Sequence, residues 1–224
     1  MSEERLPFVD VNPQRPHDAV VIWLHGLGDS GNGFAPIVPQ LGLPDELAIR
    51  FVFPHAPVIP VTINNGMAMR AWYDIKNLSF EDRADMEGVM RSAGQVRLLI
   101  EEEIAKGTPA ERIVLAGFSQ GGVIAYYLGL RFEQKLAGIM TLSTYMCDAD
   151  TQKLDWHEAN KATPIFASHG VYDEMVPIAL GKAASQNLSD AGYQVQWQQY
   201  PIQHNVCMEQ LQEVASWLTA RLGK

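Results

Sequence analysis

Ser119 stands in the segment Gly117-Phe118-Ser119-Gln120-Gly121. A serine hydroxyl is a weak nucleophile until a neighbouring base takes its proton, so such a segment acquires chemistry only where a base can reach it. The flanks here are informative. Ile113-Val114-Leu115-Ala116 is short, apolar and largely β-branched, as a buried strand is, and Gly122-Val123-Ile124-Ala125-Tyr126-Tyr127-Leu128 has the spacing of a buried helix. Gly-x-Ser-x-Gly between strand and helix is a nucleophile elbow, a sharp turn that lifts the hydroxyl above the end of a sheet. The bland alternative is a Gly-rich turn with an idle serine.

Histidine is the suitable base, because its charge changes near neutrality, and a carboxylate behind it fixes the tautomer and stabilises the imidazolium. His204 is the one histidine beyond Asp173, and the order Ser119, Asp173, His204 suits such a relay. Asp148, Asp150 and Asp155 also lie after Ser119, but in a polar stretch where solvation is the simpler reading; Glu174 is adjacent to Asp173 and would point elsewhere. His25 and His169 read as candidate structural histidines at strand ends, and His17, His55 and His157 as loop or surface residues.

The elements that must bring these groups together alternate along the chain. Strands are expected at 19–24, 49–53, 113–116, 136–142, 164–168 and 194–200, with 6–11 as an antiparallel edge. Helices are expected at 80–106, 120–132, 177–191 and 206–222. This alternation predicts a mostly parallel twisted sheet with helices on both faces, where sites form beyond the carboxyl ends of the strands. His25-Gly26-Leu27-Gly28-Asp29, Ser119, Asp173 and His204 each follow a different expected strand. An acyl-transfer intermediate needs N–H donors aimed at its oxyanion. The amide after the nucleophile, Gln120, is one candidate, and Leu27, between two glycines that permit close approach, is the other. Read alone, the 25–28 loop could be a plain Gly-rich turn; it lacks the Gly-Lys-Ser/Thr ending of a phosphate loop.

The bulk properties narrow the partners. A length of 224 residues fits one α/β domain over 1–224. The net charge of −9 argues against nucleic acid and anionic membrane as partners. Two cysteines without a CxxC pair make no disulfide framework. There is no His-Glu-x-x-His cluster for a metal, no secretory leader at the N-terminus and no apolar run of spanning length, so the cytoplasm is the expected compartment, without stable membrane insertion.

With these residues in place the sequence resembles the carboxylesterase and acyl-protein thioesterase family, in particular its small bacterial carboxylesterases. The resemblance is carried by 21–29, Pro60-Val61-Thr62-Ile63-Asn64, Ala71-Trp72-Tyr73-Asp74-Ile75, 115–122, Leu142-Ser143-Thr144-Tyr145, His169-Gly170 with Asp173, and His204, in order over nearly the whole chain. It implies a compact three-layer α/β-hydrolase fold and serine chemistry with no cofactor; the stretch between Leu142 and Pro164 is too short for a cap domain. Ser119 would be the nucleophile, Asp173 the acid, His204 the base, and Leu27 and Gln120 the oxyanion donors. Trp72 would line the acyl side of the groove, with Val176 as a second groove residue. Gln203 departs from the pattern, which has glycine before the histidine, and Met175 lies where relatives vary.

The leading expectation is a serine carboxylesterase that cleaves esters of short to medium acyl chains through an acyl-enzyme. The nearest rival is an acyl-(protein) thioesterase or lysophospholipase using the same residues. A remote one is a silent hydrolase fold acting as a binding protein. The segment 57–80, long and rich in Val, Ile and Met, reads either as a wall for an acyl chain or as core packing. Arg70 within it reads as a surface residue rather than an anion holder. The partner is a small-molecule ester or thioester, an acylated protein or a lysophospholipid, and the chain a monomer or homodimer.

Overall fold

The computed structural model describes residues 5–44, 46–77, 79–80, 83–147 and 155–223. A seven-stranded sheet has the order β1-β3-β2-β6-β7-β8-β9, with β1 Phe8–Val11, β2 Ala19–Leu24, β3 Ile49–Pro54, β6 Ile113–Phe118, β7 Gly138–Leu142, β8 Ile165–Gly170 and β9 Val195–Tyr200. Only β1 runs antiparallel, against β3 at one edge. The remaining pairs are parallel.

β2 shows why the sheet is covered twice. Val20, Ile22 and Leu24 pack on one side with α2 (Met86–Ala105) and α3 (Gln120–Gly129). Ala19, Val21 and Trp23 pack on the other with α5 (Met208–Leu222) and the 3-10 turn Ala35–Leu41. A strand apolar at every position has no solvent face, so both sides need helices. α1 is the short turn Gly31–Phe34, and α4 (Ile178–Asp190) packs Ala184 and Leu188 near β7 and β8. The result is the mostly parallel sheet with helices on both faces that the alternation predicts, in the layered α/β-hydrolase arrangement that the resemblance implies.

Three differences bear on the site. The expected helix at 80–106 begins only at Met86, because Ile75 and Ala84 form an antiparallel bridge and Asp85 holds extended backbone. The expected strand at 136–142 starts at Gly138. The segment 57–80 contains a separate hairpin, β4 (Val58–Val61) paired with β5 (Met67–Arg70). Asn65 and Gly66, both with positive φ, turn that hairpin. Between β7 and β8 the described residues hold one short 3-10 turn, Glu158–Asn160; 148–154 lie outside the described residues, Asp148 and Asp150 among them.

Candidate active site

β6 ends at Phe118, and Ser119 takes φ 53°, ψ −119°, a backbone conformation that side-chain-bearing residues rarely adopt. The neighbours hold it there: its amide donates to the Leu142 carbonyl at 2.9 Å, and its carbonyl accepts the Thr144 hydroxyl at 2.6 Å. The flanking glycines are needed for space. A Cβ on Gly117 would come within 2.3 Å of the Gly121 carbonyl oxygen, and one on Gly121 within 2.5 Å of the Leu24 carbonyl oxygen.

His204, on the loop after β9, places Nε2 2.9 Å from Ser119 Oγ and Nδ1 2.7 Å from Asp173 Oδ2. A carboxylate only accepts, so the short contact keeps the proton on Nδ1 and leaves Nε2 free to accept from the hydroxyl. The imidazole rests against Phe118, ring centroids 4.9 Å apart, and its side chain is 19% exposed. Asp173 follows β8 with its side chain fully buried. Its Oδ1 accepts the Met175 and Val176 amides at 3.0 and 2.8 Å. Burial pushes this carboxyl up, but hydrogen bonds from His169 and His204 and from the Val176 amide outweigh it and hold the group well below the usual carboxylate range. Folding therefore favours the charged form of Asp173.

The other two strand-end histidines are structural. His25 Nε2 accepts the Ala56 amide at 3.0 Å, so Nδ1 carries the proton and donates to the Gly26 carbonyl at 2.7 Å. Burial lowers its proton affinity and favours that neutral state. His169 donates Nε2–H to the Val176 carbonyl at 2.8 Å and lies 3.4 Å from Asp173 Oδ2, so it braces the acid loop. Asp155 is exposed.

Leu27 and Gln120 share a cavity of about 190 Å³ with Ser119 and His204. Neither amide has a backbone acceptor among the described residues, so both N–H groups are open to an anion. The Gln120 amide also opens α3, where the helix dipole favours negative charge. Val176 lies on the wall, with Tyr73, Ile75, Arg83, Tyr145 and Met175.

Trp72 needs correcting. It is 1% exposed and lies in the core rather than on the groove wall. Every polar group it has is engaged: its indole N–H donates to the His25 carbonyl at 2.8 Å, its amide to Gln120 Oε1 at 2.8 Å, and its carbonyl accepts the Ser92 hydroxyl. Gln120 Nε2 donates in turn to the Tyr73 carbonyl at 2.7 Å. Trp72 thus ties the loop carrying Leu27 to the start of α3 from beneath. Arg70 donates to the Ala56 carbonyl at 2.9 Å and serves the backbone. The segment 57–80 divides between the two readings: Val61, Ala71 and Trp72 are core, while Tyr73 and Ile75 reach the cavity from the core edge.

Arg83, like Ile75, Phe118 and Tyr145, is a lining residue that the sequence pattern does not single out. It fell inside the expected helix, and only the extended run before Met86 turns it to the cavity. A larger cleft of about 580 Å³, lined by residues such as Val11, Arg15, Val38 and Phe51, holds no serine, cysteine or histidine.

Fold and geometry together define a serine hydrolase of the α/β-hydrolase class. The phospholipase/carboxylesterase family model matches residues 7–222, and the chain belongs to that family. Acyl-protein thioesterase 1 of Neurospora crassa is 41% identical over 217 residues, 93% of this chain and 89% of the relative. Acyl-protein thioesterase 1 of Schizosaccharomyces pombe is 41% identical over 184 residues, 82% and 81% of the two chains. Among solved structures, SOBER1 of Arabidopsis thaliana superposes with TM-score 0.86 at 34% identity, covering 91% of this chain and 99% of that one. Acyl-protein thioesterase 2 of Zea mays gives 0.85 at 30%, covering 97% and 99%. The chain is accordingly an enzyme of the carboxylesterase and thioesterase type. These relatives favour the thioesterase alternative over the short-chain esterase expectation. No helix among the described residues is long and apolar enough to cross a membrane.

Proposed function

We propose that this enzyme hydrolyses acyl thioesters, with S-acylated cysteine of a protein as the substrate class, through an acyl-enzyme on Ser119. The observation that carries the chemistry is the imidazole of His204, within hydrogen-bond reach of both Ser119 Oγ and Asp173. The identity to acyl-protein thioesterases supports the thioester over the oxygen ester. In this reading His204 Nε2 takes the hydroxyl proton as Oγ attacks the acyl carbon. The negative charge that develops on the acyl oxygen is met by the Leu27 and Gln120 amides, already oriented before the reaction. His204 then gives its proton to the departing sulfur. A water, deprotonated by the same nitrogen, attacks the acyl-Ser119 ester and restores the free enzyme.

Asp173, whose charged form is favoured by its hydrogen bonds, stabilises the imidazolium formed in both halves. Because the carboxylate accepts from Nδ1, the proton taken from serine can only be stored on Nε2, the side that faces substrate.

Parallel rates on an S-acyl peptide, the matching p-nitrophenyl ester and a lysophospholipid test the reading. The S-acyl peptide is expected to have the highest kcat/KM. A lysophospholipid or oxygen-ester preference would overturn the thioester assignment, and turnover that persists in Ser119→Ala would overturn the mechanism.

A further inference from the structure

The cavity wall carries a cation that the acyl-transfer chemistry does not use. Arg83 lines the space shared by Ser119, Leu27 and Gln120. Its guanidinium lies 4.4 Å over the Phe80 ring, and its Nε is buried with no hydrogen-bond partner. No carboxylate among the described residues pairs with it. This sets it apart from Arg5, Arg50, Arg97 and Arg112, each in an ion pair. Beside it two hydroxyls, Tyr73 and Tyr145, meet at 3.2 Å on the same wall, and the Tyr145 ring takes Phe80 edge-on. The cavity also holds one acid, Asp29, but that carboxylate accepts the Ser30 amide at 2.7 Å on the opposite loop and forms no ion pair with Arg83.

A guanidinium with no ion pair among the described residues, beside a tyrosine pair in which one hydroxyl proton bridges the two oxygens and the other is left to donate, is a receptor inside a pocket for a carboxylate or similar anion. The position also sorts which part of the substrate bears it. His204 must protonate the leaving group, which therefore departs on the imidazole side. The open cleft beyond His204 is lined by Tyr172, Glu174, Gln203 and Asn205, with an acid and no cation. The acyl group is left with the wall formed by Tyr73, Ile75, Tyr145 and Arg83.

We propose that Arg83, with the Tyr73 and Tyr145 hydroxyls, selects acyl groups that end in a carboxylate: half-thioesters or half-esters of short dicarboxylic acids. The inference rests on the acyl-enzyme reading above and names its acyl class.

The test compares glutaryl and pentanoyl substrates, matched in chain length and differing in the terminal anion, each as the N-acetylcysteamine thioester and as the p-nitrophenyl ester. The glutaryl-to-pentanoyl ratio of kcat/KM is expected to exceed about ten in the wild type. It is expected to fall at least about ten-fold in Arg83→Gln and by less in Arg83→Lys, which keeps the charge without the fork. The ratio is internal to each variant, so a loss of folded protein scales both rates and leaves it unmoved. A wild-type ratio at or below one, or a ratio that Arg83→Gln does not change, overturns the proposal.

A second pair moves the anion to the other side: pentanoyl thioesters of 3-mercaptopropionate and of N-acetylcysteamine. An Arg83-dependent preference for the former would put the anion on the leaving group and overturn the acyl assignment. If the p-nitrophenyl pair discriminates while neither thioester turns over, the thioester reading falls and the Arg83 assignment stands. Turnover of both thioesters without discrimination has the reverse meaning.

Discussion

The two ends of the same parallel strands are built to opposite rules. At the amino end two arginines are closed on partners within the chain. Arg50, near the start of β3, donates to Glu103 at 2.7 Å and to Asp10 at 3.0 Å, and Lys106 adds a second cation on Glu103. Arg112, just before β6, bonds Asp18 Oδ1 and the Leu222 carbonyl, both at 2.9 Å, and so ties the last helix to the sheet. At the carboxyl end Ser119 and Ser143 sit at positive φ, and among the described residues the Leu27 and Gln120 amides have no backbone acceptor and Arg83 no ion-pair partner. One end closes its arginines on carboxylates and carbonyls; the other keeps donors for a ligand. Strained backbone of this kind costs on the order of 1–3 kcal/mol per residue and persists only where its surroundings over-determine it. The contacts from Leu142 and Thr144 to Ser119 do so here.

Substitution at the carboxyl end is therefore expected to remove activity while leaving stability nearly untouched, and at the amino end the reverse. The largest effect is expected for Ser119→Ala: kcat/KM falls about 10⁴-fold or more, labelling by a fluorophosphonate disappears, and the urea midpoint stays within error. Asp173→Asn follows, with a loss of about 10⁴-fold in kcat, because an amide at that position no longer holds the imidazole in the useful tautomer. A kcat within ten-fold of wild type in Asp173→Asn would mean the buried carboxylate serves structure alone, as Glu103 does.

Trp72 joins the two ends of the comparison. It lies at the carboxyl edge, yet all its polar atoms bond to protein. Trp72→Ala is expected to cost about 3–5 kcal/mol of stability, as truncation of a fully buried indole does. It should also lower kcat by a common factor for acetyl, hexanoyl and dodecanoyl substrates, because it supports the Leu27 loop rather than touching the acyl chain. A loss that grows with chain length would return Trp72 to the groove wall.

What could be read from the sequence follows from range of interaction. The elbow, the Asp173 turn and His204 are legible because each follows its own strand, the first two strands apolar, and the fold fixes which ends of parallel strands converge. The role of Trp72 is not, since the carbonyl that holds its indole belongs to His25, 47 residues earlier. Arg83 was hidden by a boundary: an apolar-periodic pattern runs through it, while the Ile75–Ala84 bridge keeps that stretch extended. The β4–β5 hairpin carries a local signal, Asn65-Gly66, although Pro60 weakens the strand pattern around it.

The amino-end network gives the smallest effect and the sharpest contrast. Glu103→Gln leaves Arg50 paired with Asp10 alone and is expected to lower stability by about 3 kcal/mol with kcat unchanged. Its pH dependence has a definite sign. Burial pushes the Glu103 carboxyl up, but hydrogen bonds from Lys106 and Arg50 overcome this and hold it below its ordinary value. Asp10 is likewise lowered: burial opposes, and Asn12 and Arg50 prevail. A depressed folded-state value means the unfolded chain binds more protons as the pH falls. The stabilisation is present above the ordinary carboxylate range, about pH 5, and is lost as the pH descends through the folded-state values. The urea midpoint of the wild type should therefore drop between about pH 5 and pH 3, and less steeply in Glu103→Gln. Parallel acid limbs in the two proteins would show that the Arg50 network contributes no proton-linked stability. The acid sensitivity would then lie with the other carboxyls held low in the folded chain, Asp173 at the carboxyl end of the sheet and Glu133 beside Arg97.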